Sequence, residues 1–122
     1  MHLRYIVVEP DLFVSEDLCD ILRTADKDAN VVAATTLSIA CGILSDGGRV
    51  DMVFLNGKVA QTQDETFLSL VQNHGALMVR IGGRAPLNED VTLAEICVPA
   101  PFTNEAIMGL LRERRRLAPG EM

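Results

Sequence analysis

Tyr5-Ile6-Val7-Val8-Glu9-Pro10-Asp11 is the stretch on which the fold turns. Four apolar residues run without a break and stop at an acid. A strand with one face in water alternates apolar and polar residues, so an unbroken run of this length predicts a strand buried on both faces. Asp11 then stands where a helix N-cap is expected. Beyond it Val14, Leu18, Ile21, Leu22 and Ala25 recur at the spacing of one helical stripe.

The same strand-then-helix unit repeats along the chain. Further apolar runs are Val31 to Ala34, Met52 to Leu55, Ala76 to Val79 and Ile96 to Val98. Thr36 is placed to cap a second helix with Leu37, Ala40, Cys41 and Leu44 on its stripe, stopped by Gly47-Gly48. Phe67, Leu70 and Val71 mark a third helix that ends at Gly75. A fourth helical segment from Asn88 to Glu95 is weakly patterned. Thr103 caps a fifth, from about Asn104 to Arg116, with Ile107, Leu110 and Leu111 turned inward. Five such repeats predict an α/β fold: a single three-layer, doubly wound, five-stranded parallel sheet of the flavodoxin-like kind. Right-handed crossovers leave few other topologies. One domain is expected over residues 1–122, with a frayed tail at 118–122.

Composition agrees with layered packing. Hydrophobic residues make up 48% and aromatics only 4% with no Trp, so Val, Ile, Leu, Ala and Met must build the core. The net charge of -6 disfavours nucleic acid and anionic membrane as partners, since both are polyanions. The run Arg112-Glu113-Arg114-Arg115-Arg116 reads as a solvated helix end, where cations complement the helix dipole. Cys19, Cys41 and Cys97 are odd in number, far apart and set among aliphatics, which predicts buried free thiols in a reducing cytoplasm. Met52 and Met78 read as core. His2 and His74 carry no ligand spacing. The first apolar run is too short for a signal peptide or membrane span.

In a doubly wound sheet the functional crevice lies at the carboxyl ends of the strands. The residues there are Glu9-Pro10-Asp11, Asn56-Gly57-Lys58, Arg80-Ile81-Gly82-Gly83 and Pro99-Ala100-Pro101-Phe102. Set in this order, Ile6-Val7-Val8-Glu9-Pro10-Asp11, Phe54-Leu55-Asn56 and Ala100-Pro101-Phe102 resemble the receiver domains of response regulators. The resemblance is nearest to the stand-alone and short receivers common in alphaproteobacteria, and spans Tyr5 to about Arg116. It implies an acidic pair for Mg²⁺ after the first strand, a phospho-accepting Asp after the third, a hydroxyl after the fourth and Lys-Pro-Phe after the fifth. Here Pro10 replaces the second acid, Asn56 the Asp and Ala100 the Lys. Arg80 or Ile81 stands at the hydroxyl position.

Each change removes a physical function. The Asp carboxylate is the nucleophile for a phosphoryl group, and an amide nitrogen with a delocalised lone pair is a poor one. Mg²⁺ neutralises charge on the transferring group, and the Lys and hydroxyl hold the product. The resemblance therefore implies a degenerate pocket of Glu9, Pro10, Asp11, Asn56, Arg80, Ile81 and Ala100 that binds Mg²⁺ weakly or not at all. Arg80, pointing inward, would pair with Glu9 in place of the metal.

The expected function is that of a cytoplasmic pseudo-receiver, not an enzyme. It would work by protein–protein interaction in a two-component pathway, without phosphorylation and without a cofactor. Its partners would be kinases or effectors. By resemblance they would dock on the face of the fourth and fifth helical segments and the fifth strand. Ile107, Leu111, Arg112 and Arg115 are the candidate contacts there, with a homodimer as one outcome. Two alternatives remain open. One is a phosphoacceptor with residual or conditional activity, restored when Asn56, which precedes Gly57, deamidates to Asp. The other is a small flavodoxin-like ligand-binding domain. The acidic Glu9-Pro10-Asp11 turn opposes the second, because it would repel a flavin phosphate.

Overall fold

The computed structural model describes residues 3–60, 65–82, 95–98, 100 and 102–116. Strand β1 (Arg4–Val8) leads into helix α1 (Leu12–Ala25). Strand β2 (Asn30–Ala34), helix α2 (Leu37–Leu44) and strand β3 (Met52–Asn56) follow. A single helical turn, α3 (Gly57–Ala60), leaves β3 directly, ahead of helix α4 (Glu65–His74) and strand β4 (Leu77–Ile81). Strand β5 (Glu95–Val98) and helix α5 (Asn104–Arg116) complete the described chain. All pairings are parallel, in the order β2-β1-β3-β4-β5. This order places the carboxyl ends of β1 and β3 side by side at the sheet centre, where the winding reverses.

Strand alternation divides the core in two. Tyr5, Val7, Met52, Phe54, Val79 and Val98 face Leu18, Ile21 and Leu22 of α1 and Ile107 and Leu111 of α5. Ile6, Val8, Val53, Leu55 and Met78 face Ala40 and Leu44 of α2 and Phe67 and Val71 of α4. Tyr5 buries its ring edge-on to Phe54 at 6.1 Å and donates its hydroxyl to Asp26 at 3.0 Å. A buried phenol needs such an acceptor. Met52 and Met78 are core, as the sequence predicts.

The helix caps follow local chemistry. Asp11 accepts from the N–H groups of Phe13 and Val14 at the start of α1. Thr36 accepts from Ile39 N–H, and Thr103 from Ala106 N–H. At the opposite end of the sheet from the crevice, Asp51 accepts from Arg4 N–H and Arg49 Nε, while the Arg4 guanidinium bridges to Asp46 at 3.2 Å. That guanidinium, with Gly48 N–H, holds the Asp46 carboxyl below the usual carboxylate range. On the outer edge of the sheet, Arg23 donates to the Val31 carbonyl at 3.3 Å.

Several expectations need correction. Val14 is not part of the packed stripe of α1; it is 36% exposed, and Ser15 and Cys19 are buried on that helix instead. Helix α2 ends at Leu44 with Ser45 as its C-cap, before Gly47-Gly48 is reached. Gly47, at φ +89°, only turns the chain toward β3. The fourth apolar run extends to Ile81, so Arg80 and Ile81 are strand residues. Residues 88–94 of the expected fourth helical segment lie outside the described residues, and Glu95 belongs to β5. His2 and the tail 118–122 also lie outside them. Cys19 is buried as expected and burial pushes its thiol up, whereas Cys41 is only half-buried; neither is in a disulfide. No helix among the described residues is long and apolar enough to cross a membrane.

Candidate functional site

The crevice is assembled at the end of β1. Glu9 N–H donates to the Ala34 carbonyl, which carries the ladder one residue past Val8 and holds the Glu9 side chain 7% exposed. Pro10 turns the chain outward and supplies no side-chain ligand. Asp11 N–H donates back to Glu9 Oε2 at 2.9 Å, while the Asp11 carboxylate caps α1. Both acids are thus committed to backbone N–H groups of the turn they form.

Asn56 closes the crevice from β3. Its Nδ2 donates to Glu9 Oε1 at 2.8 Å, and its Oδ1 accepts from Lys58 N–H at 2.8 Å. Only one orientation of the amide satisfies both contacts, because Lys58 offers a donor and Glu9 an acceptor. The helical turn α3 makes the second contact possible by folding Lys58 N–H back over Asn56.

Mg²⁺, which the receiver resemblance implies, does not suit this arrangement. A hard dication needs several oxygens with free lone pairs, carboxylates foremost. Among the described residues of the crevice, Glu9 brings the one buried carboxylate, with both oxygens hydrogen-bonded. Asp11 is engaged as a cap, and the Asn56 oxygen is neutral and already taken.

Register separates the two candidates for the hydroxyl position. Asn56 pairs with Ile81, and Leu55 with Arg80. Cα partners in a parallel pair point to the same face, so Ile81 shares the face of Asn56 and Val79 while Arg80 shares that of Leu55 and Met78. Arg80 is buried, at 3% exposure, on the α2–α4 side. The expected inward pairing of Arg80 with Glu9 is therefore not what holds Glu9; the Asn56 amide does. Ala100 is exposed next to Gly82, whose N–H donates to the Val98 carbonyl. Gly82 has φ +76°, and a Cβ there would sit 2.9 Å from the Ala100 Cβ. The segments that follow β4 and β5 are thus packed backbone to methyl at this point. Pro99 and Pro101 lie outside the described residues.

The candidate interaction residues divide. Ile107 (0% exposed) and Leu111 (4%) are core against α1, so neither is available to a partner. The helical period puts them inward, and the sequence reading erred in giving an inward stripe a surface role. Arg112 is exposed; the Arg115 side chain lies outside the described residues. Sequence reasoning overlooked Leu12 and Phe13, which are 68% and 84% exposed beside the crevice. Their signal was present, since neither belongs to the inward stripe of α1.

No family model and no curated protein matches the sequence. Solved structures do match in shape. A CheY-like receiver domain from Methanospirillum hungatei JF-1 covers 100% of both chains with a TM-score of 0.74 at 15% identity. The signal receiver domain of an HD domain-containing protein from Pseudomonas fluorescens Pf-5 covers 95% of this chain and 96% of its own, at 0.74 and 14%. A response regulator receiver protein from Sinorhizobium medicae WSM419 covers 93% and 97%, at 0.70 and 21%. The fold is that of receiver domains. At these identities the likeness speaks for the receiver fold alone, and what the crevice does rests on its own contacts.

Proposed function

We propose that this chain is a receiver-like signalling module that acts by binding other proteins, without accepting a phosphoryl group. One observation carries the reading: the Asn56 amide is hydrogen-bonded at both ends, to Glu9 and to Lys58 N–H, where a receiver would hold its nucleophile and metal. A charge-neutral amide satisfies the lone Glu9 carboxylate without a cation. Ile81 beside Asn56 offers no hydroxyl, and Ala100 no ammonium. The pocket is thus built for one state. Partners of a two-component pathway, kinases or effectors, are the binding class that this fold suits.

Intact mass after exposure to acetyl phosphate and Mg²⁺ tests the reading. No mass gain is expected for the protein. A stable, Mg²⁺-dependent gain of one phosphoryl group mapped to the crevice would overturn it. The Asn56→Asp variant is expected to remain unphosphorylated too, or to lose the label quickly, because Ile81 and Ala100 still leave the product poorly held.

A further inference from the structure

Helices α1 and α5 lie side by side over one face of the sheet. Each follows a parallel strand, so both start at the crevice end. Between them runs a shallow groove of about 190 Å³ lined by Asp17, Asp20, Ile21, Thr24, Asn104 and Met108. Residues 13, 17, 20 and 24 fall within roughly 60° of one another around α1. The exposed Phe13 therefore heads the stripe that forms the acidic wall. On α5 the wall Asn104–Met108 continues into the exposed Arg112 at the same period. One wall is acidic with an exposed ring, and the other becomes basic. Among the described residues, none of Asp17, Asp20 and Arg112 takes part in an intramolecular ion pair.

The geometry points to a second copy of this chain as the occupant of that groove. A twofold axis parallel to the helices lays α1 of one copy along α5 of the other, and the reverse, burying the same patch twice. Asp20 and Arg112 each stand eight residues after the first residue of their helix, about 12 Å along it. The axis therefore sets Asp20 of one copy level with Arg112 of the second copy, with Asp17 flanking. Phe13 loses its exposure against the facing groove. Self-pairing supplies the required positive partner from within a chain of net charge -6, because four of its eleven Lys and Arg residues lie in Arg112–Arg116. The inference stands apart from the phosphorylation-free reading, since the groove does not include the crevice.

Sedimentation equilibrium of the full chain is the test, across a wide concentration range. A reversible dimer is expected, weakened by high salt. Asp17→Arg with Asp20→Arg, and separately Arg112→Glu with Arg115→Glu, should each weaken it about tenfold or more, and Phe13→Ser should act likewise. Phe13, Asp17, Asp20 and Arg112 are exposed, and circular dichroism checks that each variant folds. Mixing the two charge-reversed variants should restore pairing as a heterodimer, read by native mass spectrometry. The proposal fails if the chain stays monomeric at every concentration, which would leave the groove to a basic partner of another kind. It also fails if a dimer ignores both reversals, or if the reversed pair does not associate.

Discussion

Asn56 meets Glu9 through nitrogen, and exchanging that nitrogen for oxygen turns a donor into a second acceptor 2.8 Å from a carboxylate. The Asn56→Asp variant should lose about 1–3 kcal/mol of stability at neutral pH. Two carboxylates at that distance share a proton, and the pair's upper pKa rises in the folded state. A group raised on folding contributes stability below its unfolded value, about 4, and loses it as pH rises through the folded one. Urea melts of the variant should therefore approach those of the parent at pH 4 and diverge above it. Mg²⁺ should narrow the gap at pH 7 for the variant alone. Cys19 is governed by burial. Its thiol is pushed up from 9.0 chiefly by desolvation, so alkaline destabilisation should begin near that value as the unfolded chain ionises first. Maleimide labelling of Cys19 should require unfolding, while the half-buried Cys41 should label in the native state.

Caps and turns were legible because they are local. Asp11, Thr36 and Thr103 were each named from the sequence and each accepts the N–H of its own helix. Asp11→Ala should cost about 1 kcal/mol and Asp11→Asn much less, measured by denaturant unfolding. Gly82→Ala should cost about 1–3 kcal/mol, since it forces a side chain to φ +76° against Ala100. Arg4 and Asp46 tie β1 to the loop before β3, and the lowered Asp46 carboxyl gives stability present above its ordinary 3.8 and lost as pH falls through the lowered value. Two features were not legible. Four residues of α3 are too few to show a period, so no helix was expected directly after Asn56. The choice between Arg80 and Ile81 needed the register, because a slip of one residue exchanges the faces of a strand.

For the molecule as a whole, the five apolar runs and the low aromatic content were enough to foresee the parallel sheet and its two helix layers. The strand order was not read from the sequence directly. The handedness of the crossovers only narrowed the possible topologies, and the pairings of the strands decide among them. Surface function was harder to read. A helical stripe identifies what is buried, and Ile107 and Leu111 obeyed it. An exposed wall such as Asp17 and Asp20 shows meaning only when the neighbouring helix is in place.

The doubly held Asn56 amide also governs how the protein ages. An Asn followed by Gly closes readily to a succinimide when the Gly nitrogen can swing onto the side chain. Here Gly57 begins a helical turn and both ends of the amide are engaged, so that attack needs the crevice to open. Conversion to Asp is then slow in folded molecules and fast in unfolded ones. Once made, the new carboxylate opposes closure against Glu9, so a molecule that has spent long unfolded returns less readily to the native state. Loss of refolding yield with time in denaturant should track the fraction of Asn56 converted, read by peptide mapping, and Asn56→Gln should abolish that link. Thermal inactivation would thus carry a clock set by one side chain and not by aggregation alone.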